Sequence, residues 1–112
     1  MDKIIKEQLI NEELQKLTKL FEDISEDKKK LVTGLINQAA FMKITLQELQ
    51  ELINENGSVE VFVNGSQVMN REYPALKSYN TTIKNYTAVI KQLIELLPEE
   101  QQKGNFDSFL NS

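Results

Sequence analysis

Apolar and polar positions alternate along this chain with the period of an α-helix over most of its length. The longest regular stripe lies near the C-terminal end. From Leu76 the apolar positions step by three and four through Tyr79, Ile83, Tyr86, Ile90, Leu93 and Leu97, with Ala75, Thr82, Val89 and Leu96 beside them. This is a heptad seam. It predicts a helix over 74–97, opened by Pro74, whose missing N–H suits a first helical position, and closed by Pro98, which disfavours helical geometry in the residue before it. A second seam of matching period runs through Val32, Leu35, Ala39, Met42, Leu46, Leu49 and Ile53 and predicts a helix over 26–54. Ser25 is placed to cap it, Glu26 and Asp27 suit the positive end of its dipole, and Asn56-Gly57 supplies a terminating signal. Gly34 costs that helix about 1 kcal/mol relative to alanine, and with Ala39 and Ala40 it permits close approach of a neighbour. A first helix is expected over 2–22 from Ile10, Leu14, Leu17 and Phe21; the residues before Ile10 break the pattern and predict a frayed start.

Between the two seams the period changes from 3.6 to 2. Val59, Val61 and Val63 alternate with Glu60 and Phe62 and are followed by Asn64-Gly65, a hairpin turn signal. The reading is a β-hairpin over 58–70 with Val68 opposite Val61. After Leu97, residues 98–105 are polar, and Phe106, Phe109 and Leu110 form one apolar-faced turn in a tail over 98–112. The expected fold is therefore mainly α. It is a long antiparallel helical hairpin with an inserted β-hairpin arm and an additional N-terminal helix packed across it, one domain over 1–97. The two seams are core within one chain or between copies, and heptad stripes look the same in either case. Tyr79 and Tyr86 are expected at the edge of that core with their hydroxyls in water.

Composition narrows the chemistry. The 112 residues contain neither cysteine nor histidine, which excludes disulfides, thiolate metal sites and the commonest general base. There is no glycine-rich phosphate loop and no metal-type spacing. Glu48, Glu51 and Glu55 fall at helical steps and read as solubilising charge on an outer face. An enzyme is not expected, nor a cofactor, nor a catalytic or metal site. No apolar run is long enough to span a bilayer, so the expectation is a cytoplasmic protein without a membrane partner.

The formal net charge is −4, against a whole-surface attraction to nucleic acid, but it is unevenly spread. The last helix holds Lys77, Lys84 and Lys91 against Glu95 alone. Their spacing of seven makes a row beside the seam, about 10 Å between neighbours. Arg71 at the hairpin exit extends it, and Lys28, Lys29 and Lys30 form a second basic cluster, set against its helix dipole. Both groups admit two readings: a solvated face, or contacts to an anionic partner.

The order of these pieces resembles a known group. A long helix ends in Ile53-Asn54-Glu55-Asn56-Gly57, a valine-rich stretch turns at Asn64-Gly65, and a helix opens at Pro74-Ala75-Leu76. That helix carries Tyr79-Asn80-Thr81-Thr82-Ile83-Lys84-Asn85-Tyr86 and closes on Leu96-Leu97-Pro98. Over about residues 49–98 the chain resembles phage terminase small subunits. The resemblance implies a non-enzymatic part in viral DNA packaging in the bacterial host cytoplasm. Its expected partners are copies of itself in a homo-oligomer, the large terminase subunit, and viral double-stranded DNA. The alternative is a helical protein-binding adaptor or regulator of phage origin with no nucleic-acid role, docking through the hairpin arm and the Phe106, Phe109, Leu110 turn.

Overall fold

The computed structural model describes residues 1–56 and 74–98, and the backbone alone over 59–64 and 67–72. The described chain is mainly helical: α1 (Lys3–Leu20), α2 (Glu26–Asn56) and α3 (Pro74–Glu95). At about 1.5 Å per residue α2 is roughly 46 Å long, and α3 roughly 33 Å. None of these helices is long and apolar enough to cross a membrane.

The helix ends follow from local chemistry. Helix α1 is regular from Lys3, not frayed before Ile10, because the Asp2 carboxylate accepts the Ile4 N–H at 2.8 Å and caps the first turn. It ends two residues earlier than expected. The N–H groups of Phe21, Glu22 and Ile24 reach back three residues to Thr18, Lys19 and Phe21, tightening the chain into the turn before Ser25. Helix α2 runs two residues past its expected end, to Asn56, whose side-chain amide donates to the Leu52 carbonyl at 3.0 Å and satisfies an orphan acceptor. Helix α3 stops at Glu95. Leu96 and Leu97 close tighter turns onto Leu93 and Ile94, as expected just before a proline.

Between α2 and α3 the backbone passes through two extended stretches, β1 (Val59–Asn64) and β2 (Gln67–Glu72), paired antiparallel. Asn64 pairs with Gln67 and Val63 with Val68, so Val61 lies opposite Asn70. The expected Val61–Val68 pairing is corrected, because β1 continues through Asn64. Residues 65 and 66, the side chains of 57–73, and with them the seating of the expected arm, lie outside the described residues. So does the tail from 99 onward, including Phe106, Phe109 and Leu110.

Helix α2 packs against α1 on one side and α3 on another. Leu17 of α1 with Phe21 just after it, Val32, Leu35, Ile36 and Ala39 of α2, and Val89, Ile90 and Leu93 of α3 with Leu97 just beyond it form one buried cluster. The end of α3 and the end of α1 thus meet the start of α2, which makes both flanking helices antiparallel to it. Leu14, Ile24, Met42, Tyr86, Ile94 and Leu96 pack around the cluster.

The expected seams are closed unevenly. Val32, Leu35 and Leu46 are buried, whereas Met42, Leu49 and Ile53 are half-buried. Along the α3 seam, Ile90, Leu93 and Leu97 are buried, Leu76, Tyr79 and Tyr86 are half-buried, and Ile83 is 37 % exposed. A second buried stripe on α2, comprising Ile36, Ala40 and Ile44, lies outside the expected seam and serves α1. Gly34 admits no neighbour among the described residues: a Cβ placed there meets nothing within 4 Å.

Two substitutions test this packing by urea unfolding. Leu93, with no exposed surface, should lose about 3 kcal/mol on Leu93→Ala through lost burial and the cavity left behind. Gly34→Ala, at low protein concentration, should gain about 0.5–1 kcal/mol, because the added methyl meets open space and the helix loses a flexible residue.

Candidate nucleic-acid interface

Helix α3 has two chemically distinct sides. One carries the apolar seam. The other carries Lys77, Lys84 and Lys91, all exposed, with Asn80, Thr81, Thr87 and Gln92 around them, also exposed. The small Ala88, also exposed, lies between Lys84 and Lys91 on the same side. The helix contains no acidic residue before Glu95. The three ammonium groups span roughly 21 Å along the helix, and none of them pairs with a carboxylate among the described residues. Thr87 is partly engaged, its hydroxyl donating to the Ile83 carbonyl at 2.8 Å. What this face offers is positive charge, hydroxyls and amides without competing carboxylates. These are the groups that contact phosphate oxygens in nucleic-acid complexes.

The other expected basic residues do not join this row into one patch. Lys28, Lys29 and Lys30 are exposed at the start of α2, the end of the hairpin nearer Lys91 than Lys77. Consecutive helical residues point about 100° apart, so the three splay round the helix. Lys29 is held by Glu26 at 2.8 Å. The Asp27 carboxyl is held below its usual value, first by the Ser25 hydroxyl, then by its own backbone N–H, with Lys28 adding a smaller attraction. Ser25 thus serves a side chain at the start of α2, and its carbonyl accepts the Lys28 N–H at 3.1 Å. The Arg71 side chain lies outside the described residues.

A charged cluster that sequence patterning missed sits between α1 and α2. Glu13 of α1 is 6 % exposed, with the Lys43 ammonium of α2 at 3.1 Å from Oε2 and 3.4 Å from Oε1, and Lys16 at 3.5 Å from Oε1. Oε2 accepts no well-directed hydrogen bond, so its contact with Lys43 is Coulombic rather than a shaped bond. Further along the same helix pair, Lys6 meets Glu48 at 3.0 Å, with the N-terminal ammonium 4.0 Å away. Glu48 is therefore a tether between α1 and α2, not only solubilising charge; Glu51 and Glu55 are exposed. A partly hidden ion pair contributes little net stability but is costly to break, and two at consistent stagger select one register for α1 on α2. The sequence signal was available: Glu13 falls between Ile10, Leu14 and Leu17 on the packed face of α1.

Tyr86 comes from α3 toward this cluster. Burial pushes its phenol up to about 12, and the negative charge of Glu13 adds to the effect. The residue is half-buried and packs against the apolar cluster, which puts it at the edge of the core, as expected. No family model, no curated protein and no solved structure matches this chain.

The Tyr86 shift gives a pH test. The folded protein keeps the phenolic proton where the unfolded chain, ionising near 10, has released it. Unfolding is then favoured by rising pH. The Tyr86 contribution should be fully present below pH 10 and be lost between about 10 and 12. Tyr86→Phe should flatten that part of the stability–pH curve, measured by chemical denaturation at stepped pH. An unchanged alkaline slope would place the titrating group elsewhere.

Proposed function

We propose that this chain is a non-enzymatic DNA-packaging protein of the terminase small-subunit kind, which assembles with copies of itself and engages double-stranded DNA through the outer face of α3. The observation that carries this reading is the unpaired lysine row of Lys77, Lys84 and Lys91 on a face free of acid up to Glu95. Three aligned cations without carboxylate partners among the described residues concentrate positive potential along one face of an acidic chain, and a regular polyanion matches that row. The resemblance over residues 49–98 gives the same direction. In this reading residues 1–97 act as one helical domain. The β1–β2 pair forms an arm inserted into the hairpin, the large terminase subunit is a protein partner, and the site of action is the bacterial host cytoplasm. Lys28, Lys30 and Arg71 supplement the row, and Lys29 contributes once released from Glu26.

Lysine-to-phosphate contacts leave a quantitative signature. Each one contributes about 0.9 to the slope of log affinity against log salt on duplex DNA. The triple variant Lys77→Gln, Lys84→Gln, Lys91→Gln should bind duplex DNA far more weakly, with a salt slope smaller by roughly 2.7. The same variant should keep its helicity and its assembly state, since all three side chains are exposed. Fluorescence anisotropy with labelled duplex across a salt series measures both quantities. Equal affinity and slope in the triple variant would remove α3 from the account of DNA binding.

A further inference from the structure

The outer side of α2 carries a third stripe whose large apolar members no part of the described chain uses as core. It steps by three and four through Leu31, Gly34, Gln38, Phe41, Thr45, Glu48 and Leu52. Leu31 is 57 % exposed, Phe41 53 % and Leu52 37 %. Phe41 is held in place from one side by the Lys6 ammonium, 5.1 Å from the ring centroid, and about half of the ring surface remains open. Gly34, between Leu31 and Phe41, weakens the helix with no packing return among the described residues. Three large apolar groups and a glycine notch along one helix face are what a second helix needs to approach closely.

The stripe is complementary to itself in one direction. Leu31 and Leu52 stand ten and eleven residues from Phe41, about 15–16 Å on either side. An antiparallel pair about a two-fold axis near Phe41 sets each Leu31 against Leu52 of the second copy. Phe41 then meets Phe41, and Gly34 lies where Glu48 and Leu49 of the other helix approach. Charge selects the same direction. Lys30 flanks the stripe at one end, and Glu55, with Glu51 nearby, flanks it at the other, all three exposed. Antiparallel pairing brings Lys30 toward Glu55, while parallel pairing stacks the Lys28 to Lys30 clusters on each other. A contact about 40 Å long and 10–12 Å wide buries roughly 1,000 Å² over both copies, the lower bound for a specific interface.

We infer that the outer face of α2 is a two-fold, antiparallel docking surface for a second copy of this chain, centred on Phe41 and notched at Gly34. The inference rests on the self-assembly part of the proposed function and specifies its geometry. An isologous contact of this kind closes on itself, so it makes pairs that a different surface must join into anything larger.

The absence of cysteine from the chain makes the test direct. Leu31→Cys and Leu52→Cys proteins are prepared separately, checked for unchanged helicity by circular dichroism, and oxidised alone and as an equimolar mixture. Facing positions on two packed helices come within disulfide range, whereas positions roughly 30 Å apart do not. The expected result is a covalent dimer in the mixture and little in either protein alone. Gly34→Leu should weaken association by roughly tenfold or more, read by analytical ultracentrifugation, with helicity kept. Efficient cross-linking of Leu31→Cys with itself would establish a parallel pair and overturn the inference. Absence of any cross-link, whether the protein is monomeric or assembled by native mass spectrometry, would overturn it as well. The assembled case leaves the DNA-packaging reading standing. A protein that cross-links as expected but ignores duplex DNA overturns that reading and keeps this interface.

Discussion

Ala39 and Ala40 are neighbours on α2, point about 100° apart and are both completely buried. A helix that hides two such positions must be covered on two sides, and that requirement organises the molecule. Helix α3 covers the side of Val32, Leu35 and Ala39, and α1 covers the side of Ala40 and Ile44. The short turn over residues 21–25 folds α1 back along α2. The apolar end of α3 then completes the same core with Leu93 and Leu97. Small side chains at the centre let three helices approach closely, while Phe21, Leu93 and Ile90 provide the apolar area that stabilises the arrangement.

Core quality is graded along the length of α2. At its start, residues from all three helices interlock and are nearly all buried. Toward its end the contacts between α1 and α2 turn polar, through Glu13 with Lys43 and Lys6 with Glu48, and the α3 seam opens at Ile83, Tyr79 and Leu76. Ion pairs specify register well but contribute less stability than apolar burial. The strand-proximal end should therefore open locally at lower free energy than the other end. Tyr86 marks the boundary: its ring completes the apolar seam, and its phenol faces the charged half.

Helix α3 joins core to candidate interface. Its seam residues and its lysines share the heptad spacing, so packing the seam fixes the direction and straightness of the lysine row on the far side. A rigid helix holds charges about 10 Å apart more precisely than a loop, at little entropic cost on binding. Helix α2 has the same division of labour. Two of its sides make the core, and the third presents Leu31, Gly34 and Phe41 outward.

The sequence by itself determined the helical character, the period of the two seams, and the grouping of the three α3 lysines. Each of these follows from local periodicity and from prolines whose backbone limits do not depend on context. Tertiary structure decided which seam positions are core. Ile90 and Ile83 stand seven residues apart in the same heptad place, yet one is buried and the other 37 % exposed, because burial depends on what packs over each position. Periodicity could not separate the Ile36, Ala40 and Ile44 stripe from the main seam on a helix packed on two sides. A polarity pattern also assigns Glu13 and Glu48 to the surface by residue type. Only the approach of Lys43 and Lys6 from the neighbouring helix turns those carboxylates into contacts between α1 and α2.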